Sequence, residues 1–340
     1  MRYAMVLGEA LVDLLDGECD GVPVYRQAVG GAPLNVAVGV ARLGGAVEFV
    51  GSLGDDVLAG RIRNLLTAAG VGQRGVRERA VATTLGVVTF SGAEPDFRFY
   101  GSPPSYGLLG PEDLDVSLVT GAAVVYAGSI ALLCPPVLAA ARRAWALATG
   151  WRVFDPNVRP RLLPDRTAVA GARAVVEEFA SSADLVKLSV ADAEVLYGSR
   201  PAVVAGVSGG VRPAGGRGTP PGGADSDRVA EAAAERLRAL GARTVVVTSG
   251  PRGALVSAGP EGRAEWLPAP RVEAVDATGA GDSVMAALIA ELLADGLPTD
   301  AAGWHERVRF ALRVAALVCE SPGGAVAMPT RADVSRRFPD

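Results

Sequence analysis

Short apolar runs alternate with longer segments of helical periodicity along most of this chain of 340 residues. Residues 3–7 have the continuous apolar pattern of a buried strand, and residues 30–45 carry apolar side chains at helical spacing. Residues 47–54 repeat the strand pattern, and residues 55–70 repeat the helical one. Because such alternation is typical of strands joined by helical crossovers, the sequence predicts a parallel sheet covered by helices.

The alternation resumes after residue 121, and two segments of another kind interrupt it. The further predicted strands cover 122–128, 152–157, 183–189, 243–250 and 253–259, and the further predicted helices cover 135–150, 191–198, 279–296 and 306–320. Residues 81–100 have the pattern of an antiparallel hairpin, and with 22–30 they are expected to form a small sheet beside the main domain. Residues 199–227 are rich in Gly, Pro and Ser, which predicts a mobile loop.

The overall charge and the rare reactive residues argue against several classes of function. A net charge of -4, from 33 basic and 37 acidic residues, contains no basic excess, so the sequence predicts no nucleic-acid partner. His305 is the only histidine, which argues against a histidine dyad and a multi-histidine metal site. The scattered Cys19, Cys134 and Cys319 lack metal-ligand spacing and fit a reducing cytoplasm better than a disulfide scaffold.

The N-terminal segment and the hydropathy of the chain argue against export and membrane insertion. The first eighteen residues include acidic side chains and no signal-peptide cleavage pattern. No uninterrupted apolar run reaches the roughly 18 residues that a membrane-spanning helix needs. We therefore expect a soluble cytoplasmic protein without a membrane partner.

The segment 275–293 carries the strongest chemical signal, because a glycine-rich turn runs directly into a long apolar helix. The first amides of a helix have no intrahelical partner and lie in positive potential, so they suit an anion. Gly279 and Gly281 allow a phosphate to approach, and Asp282 beside it is suited to accept a hydroxyl proton. The alternative is a capped helix start in which Asp282 only favours the dipole, and the bare motif leaves both open.

Seven motifs occur in order along nearly the whole chain. They are GEALVDLL (8–15), GGAPLNVAVGVARLGG (30–45), VGSLGDD (50–56), FDPNVR (154–159), KLSVADAEVL (187–196), VVVTSGPRGALV (245–256) and VDATGAGDSVMAAL (275–288). With these motifs the sequence resembles the ribokinase-like (PfkB-type) carbohydrate kinases, and among them the bacterial fructokinase and 2-keto-3-deoxygluconate kinase branch. The resemblance implies one kinase domain over 1–340, an α/β fold built as a three-layer α/β/α sandwich, and a small β-sheet lid from about 13–30 and 81–106.

The resemblance also implies the reaction, which is phosphoryl transfer from ATP with Mg²⁺ to a sugar hydroxyl. Asp282 would be the base, and the backbone amides of Gly279, Ala280, Gly281 and Asp282 would form an anion hole that stabilises the charge of the transferred group. The implied sugar-binding residues are Asp13, Gly30, Gly31, Asn35, Arg98, Tyr100 and Arg159. Without the resemblance, each of three residues has a simpler interpretation. Asp13 would be a solvated acid at a strand end, Asn35 a residue at a helix start and Arg159 a surface arginine.

On the nucleotide side, the resemblance implies contacts to ATP from several residues near the ends of two predicted strands. These residues are Lys187, Ser189, Thr248, Ser249, Gly250 and Gly253. Asp192 or Glu194 would order a water bound to magnesium, and the equal alternative is that both are solvated acids of a helix. The family pattern also allows a monovalent cation beside the glycine-rich turn, although Ala277 stands where that pattern has a hydroxyl residue.

Three departures from the family pattern leave the substrate open. Gly101 and Tyr106 stand where fructokinase-like members tend to have Arg and Asp, and Leu312 replaces an Asn near the adenine pocket. The alternative substrates are a sugar acid such as 2-keto-3-deoxygluconate, bound by Arg98 or Arg159, and a nucleoside stacked on lid aromatics. A second alternative is a sugar-binding regulator on a decayed kinase scaffold. The family's pairing of lid sheets also suggests a homodimer.

Overall fold

A computed structural model describes residues 2–91, 94–198, 223–259 and 262–339 of the chain. Within these ranges the strands are β1 (Tyr3–Leu7), β2 (Leu11–Cys19), β3 (Val22–Gly30), β4 (Ala46–Leu53), β5 (Gly72–Glu78), β6 (Leu85–Ser91), β7 (Glu94–Tyr100), β8 (Val124–Gly128), β9 (Trp151–Asp155), β10 (Leu185–Ser189), β11 (Val245–Thr248), β12 (Ala254–Ser257) and β13 (Ala264–Leu267). The helices are α1 (Ala32–Arg42), α2 (Val57–Ala68), α3 (Val116–Thr120), α4 (Pro135–Leu147), α5 (Arg166–Ala180), α6 (Val190–Tyr197), α7 (Ala224–Leu240), α8 (Ala280–Asp295), α9 (Ala301–Cys319) and α10 (Arg331–Arg337).

Nine of the described strands form one large sheet in the order β13-β12-β11-β10-β9-β8-β1-β4-β5. The strands from β11 to β5 run parallel, as the alternation predicts, whereas β12 pairs antiparallel with both β11 and β13. The prediction of parallel strands is therefore wrong at this edge of the sheet. Only residues 249–253 separate β11 from β12, and because a parallel crossover needs a dozen or more residues, so short a connection gives a hairpin.

Helices cover both faces of the large sheet, so the predicted three-layer α/β/α sandwich is confirmed. Ala4 and Val6 on β1 pack in the core that includes α1, α2, α8 and α9. Met5 and Leu7 pack in the opposite core, which includes α4, α5, α6 and α7. Because successive side chains of a strand point to opposite faces and both faces are buried here, β1 is a continuous apolar run.

The start of α9 shows how one polar side chain sets a helix boundary. The helix begins at Ala301, five residues before the predicted start, because the Asp300 carboxylate accepts a hydrogen bond from the amide of Gly303 at 2.8 Å. Apolar periodicity locates the buried face of a helix, but it does not locate this capped first turn. Strands β5 and β13 and helices α3, α5, α7 and α10 likewise have no counterpart among the predicted elements.

Helix α7 replaces the end of the predicted mobile loop. Its first turn contains Asp225 and Asp227, and acidic side chains stabilise the positive end of the helix dipole. The prediction of a loop is therefore wrong for residues 224–227, where the charge of these two aspartates favours a helix start. Residues 199–222 of the predicted loop lie outside the described residues.

Helix α9, with 19 residues, is the longest helix in the described ranges. Glu306 and Arg309 are exposed on one face, while Trp304, Val308 and Ala311 are buried on the other, as in an amphipathic helix at a protein surface. A search of the described helices finds none that is both long and apolar enough to span a bilayer.

A second sheet of four strands, in the order β3-β2-β6-β7, is separate from the large one. Strands β6 and β7 form the antiparallel hairpin predicted for 81–100, and β3 coincides with the predicted strand 22–30. Strand β2 pairs antiparallel with β3 and parallel with β6, which places Asp13 opposite Gly86. The small sheet is therefore confirmed, and Asp13 lies on one of its two inner strands.

Candidate active site

A cavity of about 450 Å³ lies at the carboxyl ends of the central strands of the large sheet. Ser129 and Asn157 follow β8 and β9, Thr248 ends β11, and all three line the cavity. The first turn of α8 contributes Asp282, and the small sheet contributes Asp13. Because ligands of open α/β sheets bind outside the carboxyl ends of the strands, this cavity is the candidate active site.

Asp282 lies in the first turn of α8 and is only 8% exposed. Its Oδ2 accepts a hydrogen bond from Asn35 Nδ2 at 2.7 Å, and its Oδ1 accepts one from Asn157 Nδ2 at 3.4 Å. Burial raises the pKa of this carboxyl, against the opposing effects of Asn35, Lys187 and Arg159. The two amides orient the carboxylate, and the raised pKa makes it a stronger proton acceptor.

Two glycines keep the N-terminal end of α8 open. Gly279 is the N-cap with a φ of 79°, a left-handed conformation that favours glycine, and a Cβ there would lie 2.8 Å from Cα of Gly324. A Cβ at Gly281 would lie 3.3 Å from Nζ of Lys187. Both glycines line the cavity. They leave room for an anion at the end of the helix, where amides and dipole favour negative charge.

Ala280, between these glycines, is placed differently. It does not line the cavity, and its amide donates to the carbonyl of Ala277 at 3.2 Å. The turn is held by Asp276, whose carboxylate accepts from the amides of Thr278 at 2.8 Å and Gly323 at 3.1 Å. Of the four amides expected to form the anion hole, that of Ala280 is therefore used by the turn itself.

A buried ion pair extends from the cavity into the sheet. Lys187 Nζ donates to Asp155 Oδ2 at 2.7 Å, and the two side chains are 4% and 0% exposed. Burial raises the pKa of Asp155 to about 6, against the lowering effect of Lys187. Burial lowers the pKa of Lys187, but the facing carboxylate outweighs it and leaves that pKa raised. At neutral pH both groups are charged, so Lys187 places a buried positive charge next to Gly281.

The carboxylate of Asp13 is inserted between two glycines of the small sheet. A Cβ at Gly30 would lie 2.2 Å from its Oδ2, and a Cβ at Gly86 would lie 2.3 Å from its Oδ1. Asp13 lines the cavity, as does Gly31, which has a φ of 113°. Burial raises the pKa of Asp13 to about 7, against the lowering effect of Arg159. The absence of side chains at 30 and 86 is what lets this carboxylate reach the cavity.

Strand β7 directs one side chain of residues 98–100 to the cavity. Phe99 lines the cavity, whereas Arg98 and Tyr100 are exposed and do not line it. Because successive side chains of a strand point to opposite faces, residues 98 and 100 share the face away from Phe99. The structure thus places Phe99, and not the two predicted residues, in the candidate site. Tyr106 is 5% exposed and packs in the core.

The two acids predicted to order magnesium-bound water both have protein partners. Asp192 forms a capping box with Ser189, in which its Oδ2 accepts from the backbone amide and the hydroxyl at 2.7 Å each. Its Oδ1 accepts from the amide of Val158 at 2.8 Å. Glu194 does not line the cavity and accepts from the hydroxyl of Ser226 at 2.7 Å. Of the two acids, only Asp192 borders the cavity.

The predicted nucleotide turn after β11 reaches the cavity at one residue. Thr248 lines it, whereas Ser249, Gly250 and Gly253 do not. The hydroxyl of Ser249 accepts from Nη2 of Arg252 at 2.6 Å. Gly253 has a φ of 104°, and a Cβ there would lie 1.9 Å from a backbone carbonyl of β13. The structure therefore accounts for Gly253 by the close approach of β13.

Three buried residues of this region with a carboxyl or amide side chain are not among the candidates from the sequence. They are Glu9, Asp155 and Asn157, which belong to the motifs GEALVDLL and FDPNVR. Glu9 is 2% exposed, and burial raises its pKa to about 7. The signal that could have found all three is a polar residue at or just after the end of a buried strand, where parallel strands converge.

The buried acids make the stability of the fold depend on pH. Burial raises the pKa of Glu9 and Asp13 to about 7 and that of Asp155 to about 6, from ordinary values of 4.5 for Glu and 3.8 for Asp. Between these values the folded state binds more protons than the unfolded state. We therefore expect the free energy of unfolding, measured by urea titration, to rise as pH falls from about 8 to about 5. Glu9→Gln should flatten this slope, and a steady fall over the range would contradict the prediction.

Comparison with known proteins extends over nearly the whole chain. The family model described as pfkB family carbohydrate kinase matches residues 1–331. Fructokinase from Klebsiella pneumoniae is 34% identical over 337 residues, which cover 97% of each chain. The structure of fructokinase from Vibrio cholerae O395, in fructose, ADP and calcium ion bound form, superposes with a TM-score of 0.80 at 26% identity, over 99% of this chain and 98% of that one. Aminoimidazole riboside kinase from Salmonella enterica, complexed with aminoimidazole riboside and an ATP analog, gives 0.77 at 25% identity over 100% of both chains.

Proposed function

Because the chain belongs to the pfkB family of carbohydrate kinases and is an ATP-dependent sugar kinase of the fructokinase type, we propose that it phosphorylates fructose with Asp282 as the general base. The observation that carries the proposal is the Asp282 carboxylate, buried at the N-terminal end of α8 and oriented by Asn35 and Asn157. A carboxylate beside an anion-binding helix end is suited to deprotonate a hydroxyl that attacks phosphorus.

The proposed step is an in-line transfer at the open end of α8. The sugar oxygen forms a bond to the γ-phosphorus, the bond to the bridging oxygen of ADP breaks, and the hydroxyl proton moves to Asp282. Charge on the transferred group is offset by the backbone around Gly279 and Gly281 and by the ammonium of Lys187. These groups are fixed before the reaction, so they stabilise the transition state without reorganising.

Magnesium accompanies ATP in this proposal, and the site suits an ion held mainly by phosphates. Among the described residues, no group of three or more His, Cys, Asp or Glu side chains could hold a metal ion. Mg²⁺ often keeps several waters and takes one or two carboxylates plus substrate phosphates, whose charge it neutralises. Asp192, with both oxygens hydrogen-bonded, would contact a water of the ion.

A monovalent cation near the turn held by Asp276 is tested by exchanging potassium for sodium in the assay.

The small sheet is proposed to act as a lid and as a dimer contact. Asp13 and Phe99 on this sheet line the cavity, so its closure over a sugar would exclude water. Tyr25 and Tyr100, on the face of this sheet opposite to Asp13 and Phe99, are 55% and 54% exposed, and a second copy of the sheet would cover such apolar surface. Light scattering should give the mass of a dimer for the wild type, and a monomer would contradict this part.

A cytoplasmic location belongs to the same proposal. Cys19, Cys134 and Cys319 carry free thiols, and a reducing compartment would keep them in that form.

One feature of the cavity supports each of two other substrate classes. Phe99 lines it and offers an aromatic face, which favours a nucleoside, and the relative from Salmonella enterica has a riboside bound. Arg159 also lines it and offers a guanidinium, which favours a sugar acid. The regulator alternative loses its support, because the chain is a sugar kinase and because Leu312 is buried in the core.

A coupled ADP-release assay with ATP and Mg²⁺ tests these alternatives against fructose, other sugars, sugar acids and nucleosides. The proposal expects the highest kcat/KM with fructose. A highest value with a nucleoside or a sugar acid would replace fructose as the substrate while leaving the role of Asp282 open to the same test. No turnover with any compound by folded protein would overturn the proposed function.

Gly86→Ala is expected to raise KM for the sugar by about tenfold, because a charge-assisted hydrogen bond is worth ~1.5–3 kcal/mol. The new Cβ would lie 2.3 Å from Oδ1 of Asp13, and the end of that side chain moves more easily than a strand. Steady-state kinetics should show an unchanged KM for ATP. The matched control is Gly17→Ala on β2, where a Cβ meets no atom within 4 Å. Equal KM values for Gly86→Ala and wild type would refute the role of Asp13.

A further inference from the structure

Ser129, the first residue after β8, has a backbone conformation that residues with a side chain seldom adopt. Its φ is 66° and its ψ is -165°, a region populated almost only by glycine. Such a conformation persists only where the surrounding contacts hold it, and it is common at ligand sites. Ser129 and Ile130 both line the cavity, so the group that holds Ser129 also shapes the site.

The contacts that hold Ser129 converge on the carboxylate of Glu9, in the link between β1 and β2. Glu9 Oε1 accepts from the hydroxyl of Ser129 at 2.6 Å, and Oε2 accepts from the amide of Ala131 at 3.2 Å. The amide of Ser129 donates to the carbonyl of Asp155 at 2.9 Å. Glu9 is 2% exposed, so protein donors rather than bulk water hold its carboxylate against the loop.

The two carboxylate oxygens of Glu9 match the donors around them. A carboxylate only accepts hydrogen bonds, and both of its partners are donors, one from Ser129 and one from Ala131. An uncharged amide in its place could still accept from the amide of Ala131, but its NH₂ group would face the Ser129 hydroxyl, which would have to accept a hydrogen bond instead of donating one. Burial disfavours the negative charge of Glu9. The positive charge of Arg159, which lines the cavity, offsets part of that cost.

We propose that Glu9 is a positioning residue for the sugar site. It holds Ser129 in its glycine-like backbone conformation and thereby fixes Ser129 and Ile130 as one wall of that site. This inference rests on the proposed function, because it assigns the sugar to this cavity. Glu9 makes no hydrogen bond to Asp282, which is oriented by Asn35 and Asn157. Loss of the carboxylate therefore acts on sugar binding more than on phosphoryl transfer.

The first test is Glu9→Gln, assayed with the compound that gives the highest kcat/KM in the panel above. Loss of a charge-assisted contact is expected to raise KM for that compound by about tenfold, with kcat and KM for ATP changed by less than about threefold. A fall in kcat with an unchanged KM for the compound would overturn the proposal. If the wild type acts on no compound, the proposed function itself has failed, which separates the two failures.

The second test compares two replacements of Ser129 and leaves the carboxylate of Glu9 in place. Ser129→Ala loses the hydroxyl but keeps a Cβ in the glycine-like conformation, whereas Ser129→Gly loses both the hydroxyl and the backbone strain. The alanine variant is therefore expected to have the higher KM for the sugar, by about fivefold or more. At an ordinary backbone conformation, alanine would be the milder replacement. A higher KM for the sugar in Ser129→Gly than in Ser129→Ala would therefore overturn the proposal.

A double-mutant cycle joins the two positions. If Glu9 acts by holding Ser129, Glu9→Gln in the Ser129→Gly background should raise KM for the sugar by less than about threefold, compared with about tenfold in the wild type. The same factor in both backgrounds would show that Glu9 acts in another way. Sugar binding measured by calorimetry, and melting temperatures of all variants, separate this positioning effect from a general loss of stability.

Discussion

Asp282→Asn is expected to lower kcat by at least about a hundredfold, the size associated with loss of a general base. The amide keeps the shape of the side chain and still has an oxygen that can accept from Asn35 or Asn157, which hold the carboxylate at 2.7 Å and 3.4 Å. It does not accept the hydroxyl proton. KM for ATP should change by less than about threefold, because the turn at Gly279 and Gly281 is untouched. The coupled ADP-release assay measures both constants.

The matched control for this variant is Asp295→Asn, at the other end of α8. Asp295 is exposed and ends the same helix, so its replacement changes the net charge equally without touching the cavity. We expect it to have wild-type kinetics. If folded Asp282→Asn retains near wild-type turnover, Asp282 is not the base. If Asp295→Asn loses activity as well, the effect arises from the charge of α8 rather than from proton transfer.

Lys187→Met is expected to reduce the free energy of unfolding by about 3–5 kcal/mol, which is the cost of leaving one member of a buried ion pair without its partner. Methionine is similar to lysine in length, so the change removes the charge more than the packing. Without the ammonium that lowers its pKa, Asp155, which is 0% exposed, must either keep an unpaired charge or bind a proton, and both states cost free energy. Urea denaturation at neutral pH measures the loss. A loss below about 1 kcal/mol would contradict the prediction.

Two further variants show whether the charge is the cause. Lys187→Met combined with Asp155→Asn removes both charges, and the amide can still accept from the backbone of Asn157, as Asp155 does at 3.2 Å. We expect this double variant to recover most of the lost stability. Arg142→Met removes one member of an exposed pair with Glu178, whose side chains are 49% and 45% exposed, and should cost only about 0–1 kcal/mol.

Apolar patterning predicted the elements whose burial is set locally. The continuous run 3–7 and the periodic segment 30–45 became β1 and α1, because a strand or helix that buries apolar faces must repeat them with its own period. Apolar patterning gave wrong predictions where a capping side chain sets a helix boundary and where the length of a connection sets the direction of a strand. Asp300 starts α9 earlier than the apolar stripe indicates, and the five residues 249–253 turn β12 antiparallel.

The residues of the candidate site were likewise predictable only in part. The motif around Asp282 predicted a carboxylate at a helix start, since glycines followed by an acid and an apolar helix specify that geometry locally. Which side chains meet this carboxylate was not predictable by such reasoning. Asn35 is 247 positions away from Asp282, and Asn157 is 125 positions away, so only the order of strands in the sheet brings the three together.

By itself, the sequence determined that this chain is an α/β kinase of the pfkB family. Its motifs and its alternation of strand and helix patterns are short-range features, which can be recognised without knowledge of the tertiary contacts. Tertiary structure alone decided that Phe99 and not Arg98 faces the cavity, since the pleat of β7 directs neighbouring side chains to opposite faces. It also decided that Glu9 holds Ser129, across 120 positions of sequence. Such contacts depend on which strand ends converge at the carboxyl edge of the sheet, and that convergence is a property of the whole fold.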